Sequence, residues 1–390
     1  MRKRKIILDA LRGLAGLCVV LFHLSESFGW EEPGRVTPEQ VCGHGYLAVE
    51  FFLLLMGYML GFAYDRRWTE GMGLLDFAKR RLRRLHPYVL SGLVLGVLVT
   101  FAQGLDFPYW CAWIRKESAA SVIGTVVAGA VLFPAFWTVA LAPFNACSWT
   151  LYFEYAGNFL YATVVRRLGT VALAVCTVLS LAFSVWFVFG LDLNGWLGTS
   201  VPLFDRVAKS TVCALHGGYG TGAYQYVAGF ARLLFPFFLG LLLFRLGWKI
   251  VLPRKVALPL SVILFLAVLF APGSYTLLMP SVPWANGLFD LAAVGLVFPV
   301  LILIGVGTDV TNVRIEKTSV FFAELSYPLY MSHYPLIYIH AWWVRNYSTA
   351  WSMPTVLGLC ALEFVLMLLL SYGVMKFWER SLFRKGVGMK

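Results

Sequence analysis

Residues 6–28 read IILDALRGLAGLCVVLFHLSESF and directly follow the basic segment Met-Arg-Lys-Arg-Lys. A helix needs about 20 mostly apolar residues to span a bilayer, and this run is long enough. A secretory signal peptide would have a shorter apolar region followed by a small-residue cleavage site, and no such site follows here. The stretch therefore predicts a first membrane helix that is retained in the protein.

The rest of the chain repeats this pattern of long apolar runs separated by short polar breaks. Hydrophobic residues make up 59% of the 390 residues and charged residues only 13%, whereas an ordinary soluble domain has about 25% charged residues. We therefore predict an all-α, polytopic membrane helix bundle. It forms a single transmembrane domain over 1–390 with no appended soluble domain, because no hydrophilic region is long enough for one. The ten predicted spans lie near 6–28, 46–64, 88–103, 149–165, 170–190, 226–246, 255–272, 284–306, 319–342 and 353–376.

An eleventh apolar stretch, 121–142, is predicted to be re-entrant or interfacial. Ten crossings place both termini in the cytoplasm and most of the basic clusters on the inner side, as the positive-inside rule requires. Those clusters are 2–5, 65–86, 166–167, 245–255, 314–317 and the tail from 376. Topology thus accounts for the net charge of +12, so no nucleic-acid partner is expected. We expect a multi-pass protein of the bacterial inner (cytoplasmic) membrane.

The seven cysteines are scattered and include no CxxC pair, which argues against an ordinary zinc ribbon or thioredoxin-type site. No metal site is predicted. Four of the cysteines, at 42, 111, 147 and 213, fall on the predicted outer side, where an oxidising compartment would permit a disulfide. Whether any of them pair, or all four are unrelated small apolar residues, is left open by the sequence.

The first helix carries a buried arginine and a buried histidine, and each such residue is costly enough in a membrane to suggest a function. Arg12 and His23 are eleven residues apart, close to three full turns, so they project from one face of the helix with an axial separation of about 16 Å. Gly13 and Gly16 lie between them and allow another helix to approach closely. Because histidine titrates near neutrality, His23 is the candidate general base.

Other ionisable residues fall in the same outer-to-middle layer of the predicted bundle. Glu50 begins the second helix, Glu154 lies just inside the fourth, and Tyr330 and His333 are one turn apart in the ninth. Two carboxylates and two imidazoles in one layer indicate a proton-handling site. The alternative is that each side chain simply makes a structural hydrogen bond between helices.

The strongest basic feature is LLDFAKRRLRRLHP, residues 74–87. Its apolar residues recur at helical spacing, which predicts a helix on the inner membrane surface. The surrounding arginines, Arg80, Arg81, Arg83 and Arg84, either attract anionic lipid or bind phosphate, since guanidinium groups contact phosphate with two hydrogen bonds. The sequence leaves both interpretations open.

Five motifs in a fixed order also carry a family resemblance. An Arg-x10-His pair is formed by Arg12 and His23. An acidic residue, two phenylalanines and a glycine follow as Glu50, Phe51, Phe52 and Gly57. Arg-x-x-Arg before a proline is met by Arg80–Arg83 or Arg81–Arg84 before Pro87. The last two motifs are Trp149, Thr150, Leu151 and Glu154, with Thr in place of Ser, and Ser326, Tyr327, Leu329, Tyr330 and His333.

The chain resembles acyltransferase family 3, a family of integral-membrane O-acyltransferases, over nearly its whole length. The resemblance implies transfer of an acyl group, with acetyl favoured, to a hydroxyl of a sugar, glycan or related acceptor, as in the modification of cell-surface glycans. The donor would be cytosolic acyl-CoA, used as a co-substrate with no permanently bound cofactor. The partners expected are thus acyl-CoA, a hydroxylated acceptor (glycan, lipid-linked sugar or small molecule) and the lipid bilayer.

On this interpretation Arg12, Arg80, Arg81, Arg83 and Arg84 bind the phosphates of acyl-CoA, and His23 deprotonates the acceptor hydroxyl. Glu154 or Glu50 would orient the imidazole, and Tyr330 or His333 would donate a hydrogen bond to the developing oxyanion. The competing class is a secondary transporter or lipid-linked-sugar flippase without chemistry. Transporters usually have paired halves with helices broken at matching positions, and the sequence has no such repeat.

Overall fold

The computed structural model describes residues 4–31, 42–103, 118–138, 140–189, 215, 217–221, 223–272, 283–347 and 351–384. These residues form α-helices joined by short turns, which confirms the predicted all-α class. The helices are α1 Ile6–Glu31, α2 Ala48–Thr69, α3 Leu74–Ala102, α4 Ala119–Val131, α5 Trp149–Thr163, α6 Thr170–Phe189, α7 Ala223–Leu246, α8 Arg254–Leu269, α9 Pro283–Ala292, α10 Phe298–Gly307, α11 Val313–Ser332, α12 Tyr334–Tyr347 and α13 Met353–Arg384. A short π-helical stretch, Ala293–Val297, joins α9 to α10.

Seven segments of the described chain are long and apolar enough to cross a membrane, so the protein is an integral, multi-pass membrane protein. They are Ile6–Ser27, Gly45–Thr69, Leu74–Ala102, Thr170–Phe189, Gln225–Leu246, Trp284–Gly307 and Met353–Ser381. Each overlaps a predicted span, although Leu74–Ala102 begins 14 residues before the predicted 88–103. The predicted spans at 149–165 and 255–272 fall on α5 and α8, shorter helices of 15 and 16 residues. The basic segment 74–87 is not a separate helix, because α3 continues through Pro87 into the span.

Among the described residues of the stretch predicted to be re-entrant or interfacial, the helix is α4, of 13 residues. At about 1.5 Å per residue it is about 20 Å long, shorter than the hydrocarbon core of about 30 Å. It ends at Leu132, whose backbone is left-handed at φ 52°. A helix that is shorter than the hydrocarbon core and ends in a left-handed residue fits a segment that does not cross the bilayer.

The first helix packs closely against α11 at two glycines, as the sequence predicted. A Cβ atom on Gly13 would lie 2.6 Å from the Cβ atom of Phe322, and one on Gly16 would lie 3.0 Å from that of Ser326. The absence of these side chains lets the two helix backbones approach. Arg12, directly before Gly13, donates from Nε to the Ser326 hydroxyl at 3.2 Å.

The predicted span at 319–342 is wrong as one continuous helix, because it breaks at His333 between α11 and α12. Pro335 has no N–H and cannot bond to the carbonyl four residues earlier. That carbonyl, of Met331, instead accepts a hydrogen bond from the Asn145 side-chain amide at 2.7 Å. The break therefore fixes the turn that precedes α5 against the end of α11.

Cys42 and Cys147 are buried, unpaired thiols. Cys111 and Cys213 lie outside the described residues.

Candidate active site

A cavity of about 440 Å³ opens between α1, α2, α7, α11 and the turn before α5. It lies at the end of the bundle that the basic-residue pattern assigns to the outside. Its polar lining comes from segments far apart in sequence, namely His23, Glu26, Cys147, Arg232, Tyr330 and Tyr334. The cavity is large enough for part of a small-molecule or sugar substrate.

His23 is held by a carboxylate on its own helix. Its Nδ1 atom lies 3.0 Å from Oε2 of Glu26, one turn further along α1. A carboxylate accepts hydrogen bonds, so this contact assigns the proton to Nδ1 and leaves the lone pair on Nε2. The Nε2 atom faces the Cys147 thiol at 3.6 Å. An imidazole with an available lone pair at a cavity wall has the geometry of a general base.

His333 stacks beside His23, with ring centroids 5.5 Å apart and an interplanar angle of 26°. Its Nδ1 atom donates to the Leu329 carbonyl at 2.9 Å, which leaves the Nε2 lone pair 3.8 Å from the sulfur of Cys147. A neutral His333 in this tautomer has no free N–H to offer an oxyanion. The predicted oxyanion donor is therefore better matched by Tyr330 than by His333.

Tyr330 is positioned by the motif that begins α5. The Thr150 hydroxyl lies 3.0 Å from the Tyr330 hydroxyl and 3.1 Å from the Cys147 carbonyl. The threonine thus supplies the hydroxyl that serine supplies in the family motif. The Tyr330 hydroxyl also makes a hydrogen bond with the Cys147 side chain, which brings a potential O–H donor close to the thiol.

Glu50 does not contact His23, so its predicted role in orienting the imidazole is wrong in this structure. It is fully buried, and one oxygen accepts a hydrogen bond from Arg232 Nε of α7 at 2.5 Å. The same guanidinium donates to the Gly217 carbonyl at 2.9 Å and lies 4.8 Å over the Trp149 ring. Glu50 and Arg232 therefore join helices α2 and α7 beside the cavity.

Glu154 is also separate from His23, and the orienting role predicted for it is likewise wrong. It lies one turn along α5 from Thr150 and accepts a hydrogen bond from Arg81 at 2.8 Å. The charges of Arg12 and Arg84 lie close enough to interact with each other and with Glu154. One arginine thus pairs with the carboxylate while the charges of two more act on it, and the excess positive charge suits an anionic group.

The other two predicted arginines are placed differently. Arg80 and Arg83 are exposed, as Arg84 is, and none of these three makes an ion pair within the described part of the chain. The two candidate Arg-x-x-Arg pairs still differ, because Arg81 pairs with Glu154 and the charge of Arg84 acts on Arg12 and Glu154.

Two of the cavity residues absent from the predicted site lie against the ring nitrogens of His23. Glu26 could have been found from the sequence, since a residue three positions after His23 lies on the same helix face. Cys147 could not, because its contact with His23 spans 124 positions and depends on the docking of the turn before α5. Its neighbours Trp149 and Thr150 belong to a recognised motif, but the cysteine does not.

Comparison with known proteins gives one match over most of the chain. The family model described as "Acyltransferase domain" matches residues 5–376. "Protein 2 in picA locus" of Rhizobium radiobacter is 32% identical over 189 residues, which cover 47% of this chain and 91% of that protein. "O-acetyltransferase OatA" of Staphylococcus aureus strain NCTC 8325 / PS 47 is 27% identical over 117 residues, 30% of this chain but only 17% of that protein. No solved structure matches the chain.

Proposed function

The chain belongs to acyltransferase family 3, and we propose that within this family it is an O-acyltransferase that uses acyl-CoA. It would move an acyl group, with acetyl favoured, from cytosolic acyl-CoA to a hydroxyl of a sugar, glycan or related acceptor. The name of the O-acetyltransferase relative supports a hydroxyl acceptor and an acetyl group.

One observation carries the proposal, namely that His23 lines the cavity while its Nδ1 atom is held by Glu26 and its Nε2 atom faces Cys147. The imidazole can accept a proton from a hydroxyl bound in the cavity. Glu26 then stabilises the imidazolium, as the carboxylate of a serine-hydrolase triad does. The Tyr330 hydroxyl is the candidate donor to the oxyanion that forms on the acyl carbonyl.

The donor site is proposed at the arginine cluster, at the opposite end of α1 from His23. Arg12 is about 16 Å from His23 along the helix axis, so a long, extended donor would be needed to join the two sites. Acyl-CoA has this form, with its phosphates at one end and its thioester at the other. Arg81, Arg84 and Arg12 would bind the phosphates.

The first prediction concerns the role of Glu26 in positioning the base. Glu26→Gln keeps the length of the side chain and an oxygen acceptor for the His23 Nδ1–H, but removes the negative charge. We expect kcat to fall about tenfold or more, because the imidazolium loses its stabilising charge, while KM for acyl-CoA is unchanged. Steady-state kinetics of the purified protein measures both constants. A rise in KM with kcat preserved would contradict this role.

The second prediction separates a phosphate site from a lipid anchor. Lys cannot reproduce the paired hydrogen bonds of Arg to phosphate, but it preserves the charge that attracts anionic lipid. We expect the double change Arg81→Lys with Arg84→Lys to raise KM for acyl-CoA about fivefold, equivalent to about 1 kcal/mol. The matched control, Arg80→Lys with Arg83→Lys, should bind acyl-CoA like the wild type. Equal effects of the two pairs would mean that acyl-CoA binds elsewhere.

The function itself is tested by incubating purified protein with radiolabelled acetyl-CoA and a panel of acceptors. The panel should include a polysaccharide, a lipid-linked sugar, a peptidoglycan-type glycan and small hydroxylated metabolites. Label that appears on an acceptor hydroxyl, with release of free CoA, is the expected result. No transfer and no CoA release with any acyl-CoA would contradict the proposal.

A further inference from the structure

The Cys147 sulfur occupies a position that the proposed reaction has not yet used. It lies at the cavity wall, 3.6 Å from the Nε2 atom of His23, whose Nδ1 atom is held by Glu26 at 3.0 Å. Nucleophile, base and orienting carboxylate therefore follow one another in the order found in hydrolytic triads. A structural cysteine needs no base beside it, and this one faces two imidazole rings.

The tautomers of the two histidines place two proton acceptors beside the Cys147 thiol. Both Nδ1 atoms are engaged, by Glu26 and by the Leu329 carbonyl, so both Nε2 lone pairs face the same sulfur. The thiol carries one proton and has two acceptors for it, at 3.6 and 3.8 Å. The Tyr330 hydroxyl also hydrogen-bonds to the Cys147 side chain. The sulfur thus has a base to remove its proton and an O–H beside the position that a carbonyl oxygen would occupy.

We infer that Cys147 accepts the acyl group from acyl-CoA and carries it as a thioester before the acceptor hydroxyl receives it. The inference rests on the proposed function and adds a covalent step to it. In the first half, His23 takes the thiol proton and the sulfur attacks the thioester carbonyl. The bond to the CoA sulfur then breaks, and CoA leaves as a thiol with the proton from His23.

In the second half of the reaction the acceptor hydroxyl is the nucleophile and the Cys147 sulfur is the leaving group. His23 takes the proton of the acceptor hydroxyl, the acceptor oxygen attacks the Cys147 thioester, and the sulfur leaves and recovers the proton. The sum is acyl-CoA and alcohol giving ester and CoA, with no other reactant. This order lets CoA depart on the donor side before an acceptor binds, so the two substrates need not occupy the site together.

The test uses exchange, which requires no acceptor. Purified wild-type protein is mixed with acetyl-CoA and isotopically labelled CoA, and formation of labelled acetyl-CoA is measured. A thioester predicts exchange in the absence of acceptor, a fingerprint of ping-pong kinetics. It also predicts one hydroxylamine-labile acetyl group on the Cys147 peptide by mass spectrometry. Cys147→Ala should abolish both and lower acyl transfer by about 100-fold or more.

Two further variants control for the effect of losing a cysteine. Cys176→Ala, a change of a half-buried cysteine on α6 away from the cavity, should exchange like the wild type. Cys147→Ser should keep the fold and exchange far more slowly, because an alcohol is a weaker nucleophile than a thiol at neutral pH. Folding of each variant is checked by thermal unfolding in detergent.

Three outcomes would overturn the inference. If Cys147→Ala transfers acetyl within a few-fold of wild type, the thioester is wrong and the proposed function stands. If purified wild-type protein holds stoichiometric zinc that Cys147→Ala loses, the sulfur and both Nε2 atoms, which lie within 4.8 Å of one another, form a metal site. If the wild type neither exchanges CoA nor transfers acetyl, the proposed function fails together with the thioester.

Discussion

Replacing His23 with alanine is expected to lower acyl transfer by about 10²- to 10⁴-fold, the usual effect of removing a general base, while the protein remains folded. The change removes the Nε2 lone pair that faces the cavity and the thiol. The loss also removes the ring contacts of His23 with His333 and Tyr334, so folding is measured beside activity. Transfer from labelled acetyl-CoA and thermal unfolding in detergent measure the two quantities.

A second substitution at the same position controls for loss of the Glu26 contact. His23→Asn retains an N–H donor near the base of the side chain but has no basic nitrogen. If His23 acts as a base, asparagine and alanine should be similarly inactive. Transfer within a few-fold of wild type by either variant would show that another group removes the proton.

The ion pair between Glu50 and Arg232 is expected to have the largest effect on stability. Both side chains are almost completely excluded from solvent, at 0% and 3% exposure. Arg232→Ala leaves a buried carboxylate without its partner, and Glu50→Ala leaves a buried guanidinium. Each single change should lower the free energy of unfolding by about 3–5 kcal/mol, the usual cost of breaking a buried pair. Equilibrium unfolding in detergent measures this loss.

The double variant Glu50→Leu with Arg232→Met is the informative control. Apolar replacements of similar volume often preserve or increase stability, because neither charge must then be removed from solvent. We therefore expect the double variant to unfold with a free energy near that of wild type. If the losses of the two single variants simply add in the double variant, the two residues are not energetically coupled.

The sequence predicted elements that depend on local periodicity. The apolar runs located the membrane helices, and the eleven-residue spacing of Arg12 and His23 placed them on one helix face. The glycines at 13 and 16 also marked the contact with α11 correctly. Each of these features depends on the period of a helix, which a linear sequence contains.

Partners across helices could not be predicted in this way. Glu50 contacts a residue 182 positions away, and Glu154 contacts one 73 positions away. Hydropathy predicts that a buried carboxylate needs a partner, but not which basic residue of which helix supplies it. The break at His333 could be predicted only in part. Pro335 indicates it locally, but the Asn145 amide that satisfies the freed carbonyl comes from the turn before α5.

The order in which the site is made follows from where its parts lie along the chain. His23 lies on α1, Cys147 follows after 124 residues, and His333 after a further 186. At about 5–20 residues per second, His333 is synthesised about 15–60 s after His23. Throughout that interval the inserted part of the chain has a base but no complete cavity. On the proposed mechanism, a chain that ends before Tyr330 lacks part of the cavity lining and should not consume an acyl donor, so the onset of activity would report that the last third of the protein has been inserted and docked.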